Sequence, residues 1–190
     1  MSNDEVKENS GQEDAGLIGQ FLQGNEEAFN RLVLKHKEKV YFLALRVLGN
    51  HHDAEEASQE AFIKAYRALK KLKERKFFFT WLYRITFNVC MTRKKTARFT
   101  EPLDSASKLR DMSLGQGGEE LEKEELKAAL KRMTELLPVR QRAVFVLRIY
   151  EGLKFEEIAA ATGLTSGGAK ANFFNAVQKM KKAMRGNYGL

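Results

Sequence analysis

A chain of 190 residues with 43% hydrophobic and 31% charged residues has the balance of one large or two small globular domains. Its 33 Lys and Arg against 25 Asp and Glu leave a formal charge of +8, which suits polyanionic partners, nucleic acid before an anionic membrane. One cysteine, Cys90, excludes a disulfide framework or a cysteine-cluster zinc site, three histidines leave little for metal chemistry, and no apolar run approaches a membrane span.

Met1 to Asp14 is acidic and polar, without the apolar core of a signal peptide, so neither secretion nor membrane insertion is expected. Charge divides the rest: about −6 over residues 1–27, +11 over 28–99, −3 over 100–137 and +6 over 138–190. From Ala28 to Leu48, Phe29, Leu32, Val33, Val40, Leu43, Ala44 and Val47 recur three and four apart, which predicts a helix that Gly49 terminates. Asn50 is placed as an N-cap, with Asp53 near the positive end of a second helix running to Leu69. That helix turns Ala57, Ala61, Phe62, Ala65 and Tyr66 to one face.

A basic break, Lys70 to Lys76, precedes a third helix from about Thr80 to Lys95. Thr100 to Glu120 holds Pro102 and a Gly115-Gln116-Gly117-Gly118 cluster with almost no apolar periodicity, the composition of a flexible linker. Beyond it, helices are predicted at Leu121 to Leu136 and Pro138 to Tyr150, followed by two further helical segments. The expected fold is all-α, with two small helical domains: 1–24 an acidic N-terminal segment, 25–98 the first domain, 99–124 the linker, 125–186 the second domain.

Phe155 to Leu164 followed by Thr165 to Met184 has the mechanics of a helix-turn-helix. Gly163 suits the positive φ of the turn, Ala159 permits a close crossing, and Ile158, Leu164, Ala169 and Phe173 can close the core. Lys170, Asn172, Phe174 and Asn175 then face outward, where a recognition helix meets base edges. A three-helix bundle with a glycine turn would show the same pattern, and the positive charge favours DNA.

Lys76 to Arg84 carries five aromatics in the eight residues Phe77 to Arg84, beside a lysine-rich loop. Such a mixture suits unstacked bases, which aromatic faces stack while cations hold the phosphates. Trp81 and two of the three Phe are expected in the core instead, because a small helical domain must bury its largest apolar groups. Asn88 has the capacity to read a base edge bidentately.

Asp53 to Arg67, then Thr80-Trp81-Leu82-Tyr83-Arg84-Ile85 and Asn88, resemble region 2 of sigma factors, and Leu137 to Arg142 with Tyr150 to Ala159 resemble region 4. In this order the chain resembles a bacterial extracytoplasmic-function sigma factor of the sigma-70 family. The resemblance implies a non-enzymatic, cytoplasmic protein without cofactor or catalytic residues that binds core RNA polymerase, directs it to promoters and helps open the DNA. It implies polymerase contacts at Asp53, Glu56, Gln59 and Glu60. It implies capture of a flipped base of the -10 element by Lys70, Lys71, Leu72, Lys73, Lys76 and Phe77, with Tyr83, Arg84 and Asn88 alongside. For the -35 element it implies Arg148, Gly168, Lys170, Ala171, Asn172, Phe174, Asn175 and Lys179. A dedicated anti-sigma factor is a further implied partner.

Two departures matter. Many relatives open the recognition helix with Thr-Val-Lys-Ser-Arg and place another Arg about three residues later, whereas this chain has Gly168-Ala169-Lys170-Ala171-Asn172 and then Asn175. Two cations of that pattern are absent, which leaves more discrimination to Lys170, to apolar contact and to DNA shape. The basic loop is also unusual, since Leu72 and the Lys73-Glu74-Arg75-Lys76 run replace small, glycine-containing loops.

Two other function classes compete. A stand-alone helix-turn-helix regulator would share the C-terminal half but leaves the Asp53 to Asn88 pattern without a use. An enzyme fails on inventory: the sequence offers no phosphate-cradling glycine loop, no metal-ligand spacing and no nucleophile paired with a base. Reach also bears on the linker. Sites two duplex turns apart lie roughly 70 Å from each other, while a relaxed coil from Thr100 to Glu120 averages about 25 Å. The domains are therefore expected to pack together, or on an inhibitor, when free, and to part on polymerase.

Overall fold

A computed structural model describes residues 3–100 and 132–188, with side chains placed over 9–96 and 132–185. Every described element is helical. In chain order they are α1 (Asn3–Leu22), α2 (Glu27–Leu48), α3 (His51–Ala68), two 3-10 turns (Leu69–Lys71 and Arg75–Phe77) and α4 (Phe78–Thr100). Residues 132–135 are helical, and α5 (Val139–Ile149), α6 (Phe155–Thr162) and α7 (Ser166–Tyr188) follow. Among the described residues no helix is long and apolar enough to cross a membrane. Apart from Thr100, which ends α4, the linker expected at Thr100 to Glu120 lies outside the described residues, as does most of the helix expected at Leu121 to Leu136.

The helix ends follow local chemistry. Gly49 closes α2 at φ 91°, a left-handed conformation that a Cβ would strain, and its N–H donates to the Leu45 carbonyl at 2.8 Å. One residue on, the Asn50 side chain accepts from the Asp53 N–H at 2.8 Å and donates to the Asp53 carboxylate at 2.6 Å, so α3 begins at His51, two residues earlier than its apolar pattern suggests. Gly163, at φ 71°, ends α6 in the same way as Gly49 ends α2.

The acidic N-terminal segment, for which the sequence predicts no element, carries the helix α1. Leu17, Ile18 and Phe21 of α1 enter a core with Phe29, Leu32 and Val40 of α2, Ala61 and Ala65 of α3, and Phe78 and Leu82 of α4. Phe21, Phe29 and Tyr66 pack with ring centroids 5.1 to 5.6 Å apart.

A second core joins the two halves of the chain. Leu43 and Val47 of α2 and Tyr83, Phe87 and Cys90 of α4 pack with Val144 and Leu147 of α5, Leu153, Ile158 and Ala161 around α6, and Ala169 of α7. α6 therefore lies on α4, and α5 lies on α2. A third, smaller core is internal to the C-terminal half: Met133, Leu137, Phe145, Ala176 and Met180. Polar groups clasp the edge of the shared core. The Tyr83 hydroxyl donates to Glu151 at 2.6 Å, Arg46 stands 3.8 Å from Glu151 and stacks 4.1 Å from the Tyr150 ring, and Arg142 donates to the Val47 carbonyl at 3.2 Å.

Candidate nucleic-acid interface

The basic break between α3 and α4 is a short, exposed loop anchored from below. Leu69 is fully buried and Leu72 half-buried against the first core, while Lys70, Lys71, Lys73, Arg75 and Lys76 face solvent. Of the three consecutive phenylalanines, Phe78 is fully buried and Phe79 half-buried, but Phe77 is 54% exposed with the Lys76 ammonium 5.1 Å from its ring. A large aromatic left in water among five cations is poorly explained by packing and well suited to stacking on an unpaired base. Trp81 is half-buried in the core, as its size demands.

On α4 the exposed residues beyond the loop include Arg84 and Asn88, one helical turn apart and therefore on one face. Tyr83 does not join them. Its ring is fully buried and its hydroxyl is bonded to Glu151, so the sequence reading of Tyr83 as a DNA contact gives way to a role in joining the halves. Burial first, then the Glu151 carboxylate, push its phenol far above the usual tyrosine range. No local signal pairs Tyr83 with a carboxylate 68 residues away.

In the C-terminal half, Thr165 opens α7: its hydroxyl accepts from the Gly168 N–H at 3.0 Å. A Cβ on Gly168 would come within 3.1 Å of that hydroxyl, so the glycine keeps the cap open rather than offering a contact. Ser166 donates to Glu156 at 2.9 Å and ties α7 to α6. The inner face of α7 carries Ala169, Ala176 and Met180, and its outer face carries Lys170, Ala171, Asn175, Lys179 and Phe174, the last 60% exposed.

Two residues proposed from the sequence are occupied elsewhere. The Asn172 amide donates to the Gly168 carbonyl of its own helix at 2.8 Å. Arg148 is half-buried, donating to the Leu153 carbonyl at 2.8 Å with its guanidinium 4.9 Å from the Phe155 ring.

The polar residues of α3 divide between two flanks. Arg93 of α4 binds Glu56 at 2.6 Å and Glu60 at 3.1 Å, and Lys64 binds Glu60 at 2.7 Å. The hydrogen bond from Lys64, then that from Arg93, hold the Glu60 carboxyl below its usual range. Asp53 is engaged in the Asn50 cap. Gln59 is exposed on the other flank, at a groove of about 350 Å³ between α2 and α3 lined by Val33, Lys37, Tyr41, Ser58 and Phe62. Arg93, the partner of both glutamates, was not singled out in the sequence.

Both halves of the chain are similar to known proteins. The family description Sigma-70 region 2 matches residues 32–100, and Sigma-70, region 4 matches residues 127–180. The RNA polymerase sigma-H factor of Pseudomonas aeruginosa is 32% identical over 184 residues, covering 92% of this chain and 95% of the relative. The ECF RNA polymerase sigma-E factor of Escherichia coli strain K12 is 33% identical over 172 residues, covering 86% and 90%. This chain belongs to the extracytoplasmic-function sigma factors of the sigma-70 family. It is an RNA polymerase sigma factor that directs promoter-specific transcription initiation, and its family is not enzymatic.

Solved structures carry the same fold. CnrH in complex with the cytosolic domain of CnrY is similar at a TM-score of 0.69 and 22% identity, over 92% of this sigma factor and 99% of that chain. The sigma factor RpoE in complex with the anti-sigma factor NepR from Bartonella quintana is similar at 0.64 and 18%, over 84% and 98%.

Proposed function

We propose that the two exposed surfaces of this sigma factor divide promoter recognition between them, as parts of a region 2 domain over 25–98 and a region 4 domain over 125–186. The loop from Lys70 to Phe77 takes an unpaired base of the -10 element, with Phe77 stacking, the lysines holding phosphates, and Arg84 and Asn88 on the adjoining helix. The outer face of α7 enters the major groove of the -35 element through Lys170, Ala171, Phe174 and Asn175, with Lys179 near the backbone. Asn172 and Arg148 contribute by shaping the helix-turn-helix. The α3 surface of Asp53, Glu56, Gln59 and Glu60 meets core RNA polymerase, with Arg93 holding the two glutamates in place.

The observation that carries this reading is Phe77, an aromatic ring that the fold leaves 54% exposed among Lys70, Lys71, Lys73, Arg75 and Lys76. Ordered duplex DNA hides base faces, so the arrangement serves a base that has left the stack. An anti-sigma factor is a fitting third partner, since the similar sigma factor RpoE was solved in complex with the anti-sigma factor NepR and α2 and α3 expose Leu34, Phe42, Ile63 and Tyr66. Its place of action is the cytoplasm, where core polymerase and promoter DNA are found.

Run-off transcription by core polymerase reconstituted with this chain tests the reading. Start sites should share one -10 and one -35 element, and binding of the isolated chain to the same DNA should be weak and salt-sensitive. Equal footprints with and without polymerase would refute it.

A further inference from the structure

The helix α1 has an unusual composition for a stable element. Gly11, Gly16 and Gly19 lie within its 20 residues, and glycine is among the least favourable residues in a helix interior. The surroundings separate the three. A Cβ on Gly16 would meet nothing within 4 Å, and one on Gly19 would make ordinary contact, at 3.7 Å, with the Arg75 guanidinium. A Cβ on Gly11 would lie 2.7 Å from the backbone carbonyl oxygen of Lys76, closer than such atoms approach. Of these three glycines, Gly11 alone rests on the backbone of the loop.

The contact is stiff on one side and soft on the other. Lys35 of α2 donates to the Ser10 carbonyl at 3.0 Å and binds Glu13 at 2.7 Å and Asp14 at 2.8 Å. Asp14, 1% exposed, is also hydrogen-bonded to His36 Nε2 at 3.0 Å, and the His36 ring packs 5.5 Å from Phe78 and 5.4 Å from Phe79. Leu17 and Ile18 are buried one turn further on. On the other side, Arg75, Lys76 and Phe77 form one exposed 3-10 turn held by the Phe77 N–H to the Glu74 carbonyl at 3.0 Å. An atom added at Gly11 therefore displaces the loop rather than the helix. The movement needed to bring 2.7 Å to the ordinary range from 3.4 Å is about 0.7 Å. Recognition groups must be held to roughly 0.5 Å to keep their geometry.

We propose that Gly11 is a positioning residue for promoter selection: by letting α1 seat directly on the Lys76 carbonyl, it sets the height at which Lys76 and Phe77 meet the -10 element. This rests on the reading that the loop takes a -10 base. Specificity in this sigma factor is then set partly by an acidic helix that itself touches no DNA. Helix propensity predicts that Gly11→Ala and Gly16→Ala act alike, whereas the seating predicts that they differ.

The test uses the full chain in reconstituted holoenzyme, transcribing a promoter library with a randomised -10 element and, separately, a randomised -35 element. Gly11→Ala should re-weight base preference in the -10 element by about fivefold or more, the low end of what one base contact contributes. Its -35 preference and its affinity for core polymerase should stay at wild-type levels, and Gly16→Ala should leave every profile unchanged. A folded Gly11→Ala protein with the wild-type -10 profile overturns the proposal. If thermal melting shows that Gly11→Ala does not fold, Lys35→Met, which releases the Ser10 carbonyl beside the seat, must re-weight the -10 profile instead, and a folded Lys35→Met with the wild-type profile overturns the proposal equally. Phe77→Ala in the same library separates two failures. A Phe77 effect without a Gly11 effect removes the seating alone, whereas silence at both removes the -10 reading of the loop as well.

Discussion

Removing one oxygen from Tyr83 should open the protein. The two halves share a core, and a packed chain of this length is roughly 40 Å across, whereas two promoter elements two duplex turns apart are separated by roughly 70 Å. Reading both at once would require the halves to part. In the packed state the Tyr83 hydroxyl donates to Glu151 at 2.6 Å from a fully buried ring. In a parted state water takes over both groups, so Tyr83→Phe penalises the packed state alone. A hydrogen bond to a charged group contributes about 1.5–3 kcal/mol, which shifts the equilibrium toward parting by about 10- to 150-fold. The ring contact with Phe79, at 4.1 Å, is retained. Distance distributions between spin labels at Arg67→Cys and Lys181→Cys, both exposed positions, would read the change. Cys90 is buried in the core that parting would open, so the labelled proteins carry Cys90→Ala to keep the label off it. Identical distributions for the free wild-type and Tyr83→Phe proteins would refute the reasoning.

The same pair gives a pH dependence. Burial and the Glu151 carboxylate raise the Tyr83 phenol in the packed state, so the packed state holds its proton while a parted state loses it above the ordinary tyrosine value of about 10. Packing should therefore be unaffected below that pH and weaken above it, with the step absent from Tyr83→Phe in the same label measurement. Asn88→Ala, at an exposed position, should cost about 1–3 kcal/mol in -10 recognition, read as lost run-off product at an unchanged melting temperature. Lys170→Ala should weaken transcription only from promoters that depend on the -35 element, and co-elution with core polymerase should be normal. Gly163→Ala forces a Cβ into φ 71° with open space around it, so the penalty is one of backbone alone, about 1–2 kcal/mol by thermal unfolding.

Much of this architecture is legible in the sequence because it is local. The cap at Asn50, the stops at Gly49 and Gly163, and the outward face of α7 each depend on residues within one or two turns, and the chain declares them by residue type. α1 escaped because its first half is acidic and its three glycines weaken any propensity argument. Leu17, Ile18, Phe21 and Leu22 were the available signal, spaced one and four apart. Long-range pairs stayed hidden for a different reason: Arg93 with Glu56 and Glu60, and Tyr83 with Glu151, join residues 33 to 68 positions apart. An exposed tyrosine beside Arg84 and a buried one clasping the other domain have the same local sequence. The burial of Tyr83 is decided by what α6 brings to α4.

The composition of that shared surface bears on how readily it can part. Ala54, Ala57, Ala143, Ala161 and Ala169 line it beside Leu43, Tyr83, Phe87, Leu147, Leu153 and Ile158, and an alanine offers little apolar area per contact compared with leucine or phenylalanine. The polar clasps differ in access: Arg46 and Glu151 are both partly accessible, while Arg142 makes a buried hydrogen bond to the Val47 carbonyl at the C-terminal end of α2, where helix carbonyls lack partners of their own. Arg142 also holds the carbonyls of Glu135 and Leu137, within its own half, so its guanidinium stays anchored when Val47 departs. The core beneath the Lys70–Phe77 loop is built on Phe21, Phe29, Leu32, Phe78 and Leu82, with Ala61 and Ala65 of α3, side chains interlocked across four helices. The N-terminal unit thus interlocks large side chains across four helices, while the contact between the halves combines apolar packing with hydrogen bonds and an ion pair at its edge.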